Sequence, residues 1–254
     1  MRRARLRALL AIATLAGAAL SGPPAKTQAP IRVRPLPPSP EPAGARISLK
    51  APRRPIPQEA VASVRLKVRG FRLGAPTRGT PPAGFVNDPR GQFVALQVDQ
   101  EPYVAHYDVS KPVSLGKLTL GTHAVRAVLM RSWGEALKGK SALARAEVAV
   151  GTRRFHVLSR GPLLTLLQPG KQVIGERLAV LDFRLDRIRK SHGVNLRLRV
   201  DAQEFHLTQV VPHAIEGLDA GSHEVTLATL NRFEAPLLNR FARAARLFEL
   251  RPPP

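Results

Sequence analysis

Seven histidines in a chain without a cysteine are the first residues to test for chemistry. With no thiolate available, a metal would have to be held by imidazole and carboxylate. His206, His213 and His223 lie near enough in sequence to converge and define a candidate copper or zinc site, although no His-x-His or His-Glu-x-x-His spacing accompanies them. His123 and His223 also admit a structural reading. Each stands two residues before a valine, Val125 or Val225, at the start of an alternating run, where a ring nitrogen bonded to a turn carbonyl explains the residue without a ligand. For nucleophilic catalysis the sequence offers no Gly-x-Ser-x-Gly elbow, and Ser222 and His223 are strand neighbours that face opposite ways. Ser114-Leu-Gly-Lys117 matches Ser-x-x-Lys, but in a stretch that reads as a turn entering a strand. Asp182 and Asp186 alternate with Phe183 and Leu185, which places both carboxylates on a solvent face beside Arg184 and Arg187. The chain is therefore expected to be no enzyme and to use no cofactor.

Cations are the more promising feature. Arg65, Lys67 and Arg69 alternate with Leu66 and Val68, and Arg197 and Arg199 alternate with Leu196, Leu198 and Val200. On a strand such residues project from one face at roughly 6.6 Å intervals, a spacing suited to gripping an anionic polymer. These five residues are the candidate polyanion site; the alternative is an ordinary solvated face whose charges discourage edge pairing.

The elements that would carry these residues are strands, and they recur. Val94-Ala-Leu-Gln-Val-Asp99 leads to Gly121-Thr-His123 and the run to Met130. Asn195-Leu-Arg-Leu-Arg-Val-Asp201 leads to Gly221-Ser-His223 and the run to Leu230. Trp133 and Phe233 each lie ten residues after their histidine, and Ala144-Arg-Ala146 matches Ala242-Arg-Ala244. Upstream, Ile47–Lys50 matches Leu163–Leu167, and Val64–Arg69 matches Leu181–Arg187. Only the first copy carries an insertion, Gly74–Arg90, which is either a recognition loop or a disordered excursion. Short period-two runs between Gly, Pro and Asp turns are the pattern of a β-sandwich.

The stretches Val98-Asp99 to Gly121-Thr-His-Ala-Val125 and Val200-Asp201 to Gly221-Ser-His-Glu-Val225 resemble the Val-Asp-Gly…Leu-x-Pro-Gly-x-His-x-Val signature of bacterial exported immunoglobulin-like domains. Gln100 and Ala202 replace the turn glycine, and Leu120 and Ala220 the proline. The repeat divides the chain into two tandem units, residues 45–151 and 158–250; the resemblance implies that each is an all-β immunoglobulin-like sandwich and that the protein is exported, and it implies no activity.

Residues 1–21 read as a signal peptide: arginines 2, 3, 5 and 7 precede an apolar run from Ala8 to Leu20, too short for a membrane-spanning helix. Leu20-Ser-Gly22 is followed by Pro23 where a lipoprotein would carry its cysteine, so the chain is not lipidated there. Residues 22–44, rich in proline, read as a semi-rigid spacer or disordered tether. The formal net charge is +22, with thirteen basic against three acidic residues between positions 26 and 90. These features together predict a periplasmic or secreted, non-enzymatic binding or structural accessory of the bacterial envelope. Its partner would be an envelope protein or an anionic polymer such as lipopolysaccharide or a wall polymer, with a histidine metal protein as the alternative. Nucleic acid is not expected, given export and an aromatic content of 5%.

Overall fold

A computed structural model describes residues 30–151, 158, 161–187 and 193–253, so the signal-peptide reading of residues 1–21 lies outside the described residues. The fold is all-β, with sixteen strands in four sheets and no α-helix among the described residues. The first sandwich faces β2 (Arg46–Lys50), β3 (Val61–Arg69) and β6 (Val113–Lys117) against the sheet β5-β4-β7-β8. That sheet consists of β4 (Phe93–Val98), β5 (Val104–His106), β7 (Gly121–Met130) and β8 (Leu143–Val150). The second sandwich faces the sheet β1-β14-β11-β9 against β10-β16-β15-β12-β13. Its strands are β1 (Arg32–Pro35), β9 (Leu163–Gln168), β10 (Gln172–Ile174), β11 (Leu178–Asp186), β12 (Leu196–Val200), β13 (Gln203–Leu207), β14 (His213–Glu216), β15 (Gly221–Thr229) and β16 (Arg243–Arg251).

Alternation builds both cores. Ala62, Val64 and Leu66 of β3 point into one, and Ala179, Leu181, Phe183 and Leu185 of β11 into the other. The repeat is exact in register: Val98 sits opposite Val125, and Val200 opposite Val225. The Val-Asp turn that follows also has one solution used twice. Asp99 accepts the Ala124 N–H at 2.8 Å and holds His123 Nδ1 at 2.8 Å, while His123 Nε2 meets the Thr119 carbonyl at 2.9 Å. Asp201, Glu224, His223 and Asp219 repeat this arrangement. The left-handed residue is the aspartate itself, with φ of 49° and 51°, so glycine is not required at Gln100 or Ala202.

Two expectations are corrected by the packing between the sandwiches. The outer face of β11 is not solvent-exposed: Asp182 is 0% exposed, accepts the Ala136 N–H at 2.7 Å and pairs with Lys138. Arg184 beside it donates to the Leu137 and Gly139 carbonyls. The cause is the turn after β7, residues 131–138, which lies across β11. Its Trp133 packs on Val180 and Ala214, together with Phe85 from the insertion. Below this turn, fully buried Arg126 donates to the Leu164 carbonyl and to Thr165 Oγ1.

The proline-rich segment, expected to be a tether, is part of the fold from residue 31 onward. β1 pairs antiparallel with β14, Ile31 enters the second core, and Leu36, 3% exposed, fills the contact between the sandwiches. Ser39 then binds Glu135 through its N–H and Oγ, and Arg131 donates to the Ser39 and Pro40 carbonyls. The chain thus completes a sheet of the second sandwich before it builds the first.

Candidate anion-binding face

β2 and β3 present one outward face. Their antiparallel register sets Arg46 opposite Arg69, Ser48 opposite Lys67 and Lys50 opposite Arg65. All six are exposed. Like charges directly opposite each other on a sheet are destabilising, and among the described residues none of the five cations is within ion-pair distance of a carboxylate. At the end of this face a groove of about 250 Å³ is lined by Ser48, Lys50, Arg65, Lys67, Ser110 and Lys111. Asp108, two residues before Ser110, is turned to the Ser110 N–H at 2.8 Å and its Oγ at 2.9 Å, and these bonds hold its carboxyl below the usual range. The face can therefore screen its own repulsion only with water, salt or an anionic ligand.

The other sequence-predicted residues fall elsewhere. Arg197 and Arg199 lie on β12, whose counterpart in the first sandwich is β4, so they do not repeat the β3 arrangement. Glu204 stands opposite Arg199 and 3.6 Å from the Arg197 guanidinium, which also donates to the Glu234 carbonyl. That carboxylate offsets one of the second strip's two charges. Nor do the three histidines converge. His206 is exposed on edge strand β13, opposite Arg197. His213 is buried on β14 in the other sheet, its Nδ1 bonded to the Val211 carbonyl at 2.8 Å and its ring stacked on Phe183; burial pushes its pKa down. His223 spends both ring nitrogens on Asp201 and Asp219. Among the described residues no group of three or more histidines and carboxylates could hold a metal. Ser114 and Lys117, the Ser-x-x-Lys pair, are both on β6, where Lys117 pairs with Glu59.

Arg46, Lys50 and Lys111 belong to the face and were not singled out from the sequence. Ile47-Ser-Leu-Lys50 reads as a strand, but its strand partner, and hence the stacking of like charges, is a property of register. No family model matches the chain, and no curated protein matches it. Solved structures do. The fibronectin(III)-like modules of Clostridium thermocellum CbhA share 10% identity over 81% of this chain and 94% of theirs, with a TM-score of 0.29. The central fibronectin-III array of RIM-binding protein shares 12% over 82% and 69%, with a TM-score of 0.27. The Bacteroides ovatus protein SGBP-B, solved with a mixed-linkage heptasaccharide, shares 10% over 87% and 47%, with a TM-score of 0.24. The fold assignment itself rests on this chain's own sheet order and register.

Proposed function

We propose that this protein is a non-enzymatic, exported module of the bacterial envelope that holds a linear anionic polymer along the β2–β3 face, with the second sandwich as its rigid support. The observation that carries this reading is the pair of like-charged rungs, Arg46 with Arg69 and Lys50 with Arg65, unmatched by any described carboxylate. A surface that only needed solubility would gain by setting opposite signs against each other, as Arg199 of β12 and Glu204 of β13 do. The apolar run of residues 8–20 supports export, and among the described residues no helix is long and apolar enough to cross a membrane.

Co-sedimentation of the protein with isolated envelope fractions at low and high salt tests the reading. Retention is expected to fall steeply as salt rises, because each phosphate or carboxylate contact releases a counterion. The charge-neutral variant R65Q/K67Q/R69Q is expected to lose most retention at low salt. Salt-independent retention would overturn the polymer reading. It would favour a protein contact instead if it vanished in F233S/L238S, since the 231–238 turn leaves Phe233 73% exposed where its counterpart Trp133 is buried.

A further inference from the structure

The insertion after β3 is a closed loop. Gly74 N–H donates to the Gln92 carbonyl and Gln92 N–H to the Ala75 carbonyl, both at 2.8 Å. Gly91 passes so near Gly74 that a Cβ there would stand 2.5 Å from backbone carbon, which excludes any other residue. Thr77 exchanges two hydrogen bonds with Ser132, N–H to Oγ at 3.0 Å and Oγ1 from N–H at 2.9 Å. The far side is held by Asp88, which accepts from Arg90 and from Tyr107 Oη at 2.6 Å. Residues 75–78 are thereby fixed opposite Pro40 and Pro42.

Between them an open groove of about 570 Å³ begins at Gly70, the residue after β3, a volume within the usual range of small-ligand sites. Phe71 and the prolines make its apolar walls, and Arg72 and Arg78 stand exposed at its rim, with no ion pair among the described residues. Arg131 is its floor, already engaged by Glu135 and by the Ser39 and Pro40 carbonyls. Glu41 turns its carboxylate away to the Lys138 N–H. No carboxylate lines the groove, and all of its cations are arginines, whereas three of the four cations in the groove on the β2–β3 face are lysines. A guanidinium fork matches a planar carboxylate in two parallel hydrogen bonds, which an ammonium cannot do. Flat apolar walls suit the face of a ring.

We infer that the insertion builds a subsite for an acidic sugar, a ring bearing a carboxylate, at the C-terminal end of the cationic strip. The inference rests on the anion-binding reading of the β2–β3 face only for the polymer that would run from one to the other. Arg72 and Arg78 clamp the carboxylate, Phe71 and the prolines take the ring, and a chain leaving the groove passes onto Arg69, Lys67 and Arg65.

Titration calorimetry of the full chain with digalacturonate, too short to cover groove and strip together, and separately with inorganic polyphosphate, tests this. R72Q/R78Q is expected to weaken digalacturonate binding by about tenfold or more, a factor equivalent to roughly 1.4 kcal/mol, while K50Q/K67Q leaves it nearly unchanged. Polyphosphate is expected to show the opposite order. All four substituted residues are exposed, so the fold is retained. A parent protein that does not bind digalacturonate, or equal losses in the two double variants, overturns the subsite. If polyphosphate still binds in that case, the face reading stands; digalacturonate bound without polyphosphate keeps the subsite and removes the face reading.

Discussion

At the Val-Asp turn of the second sandwich, His223 gives both ring nitrogens to acceptors, Asp201 Oδ2 at 2.8 Å and the Asp219 carbonyl at 2.8 Å. Burial opposes the imidazolium, but the Asp219 carbonyl and the Asp201 carboxylate outweigh it and raise the pKa above 6.5. A group whose folded pKa is raised stabilises fully below its unfolded pKa and loses that contribution as pH rises through the folded value. The loss of stability in H223Q, measured by urea unfolding, is therefore expected to be larger at about pH 6 than at about pH 9. Equal losses at both would show that the histidine acts by packing on Phe248 alone. The aspartate has a second role, because its other oxygen accepts the Glu224 N–H at 2.9 Å, and a buried donor left unpaired costs stability.

Among the elements, the strap of residues 31–42 links the units most directly. Polyproline II and β backbones occupy neighbouring regions of φ/ψ space, so a proline-rich segment can dock as a strand wherever no N–H is demanded of the proline. β1 meets that condition as an edge strand ending at Pro35. It pairs with a strand some 180 residues later, and Leu36 closes the space among Phe85, Trp133, Val180 and Ala214. L36A is expected to cost about 2–5 kcal/mol in chemical unfolding, the usual range for truncating a buried leucine. Deleting residues 30–36 is expected to speed hydrogen exchange in β14, in the second sandwich, more than in β2, which follows directly in sequence. Unchanged exchange in β14 would mean the strap is not seated there.

For the whole molecule, buried charges tie the sandwiches together. Lys138 reaches across to Asp182 and to the Phe183 carbonyl, and K138M would leave a carboxylate with 0% exposure uncompensated. Removing one partner of a buried pair costs roughly 3–5 kcal/mol. The parent chain is expected to melt in one calorimetric transition, and K138M to melt lower, with the second substitution D182L recovering much of the loss. Two separated transitions in the parent would show that the sandwiches fold independently. The two-sandwich body, the strand runs and the recurrence of the Val-Asp and Gly-x-His segments were legible in the sequence because alternation and repetition are read along the chain, whereas the bonds of His123 to Asp99 and His223 to Asp201 join residues 24 and 22 apart. The spacing of Arg65, Lys67 and Arg69 was legible for the same reason. Strand partners are not local. Only tertiary structure set Arg46 and Lys50 against like charges, matched Arg199 with Glu204, buried Asp182 and dispersed the three histidines. It also made Arg32–Pro35 of the proline-rich segment a strand, because register and packing depend on residues far apart in the chain, and no single strand records which neighbour will cover it.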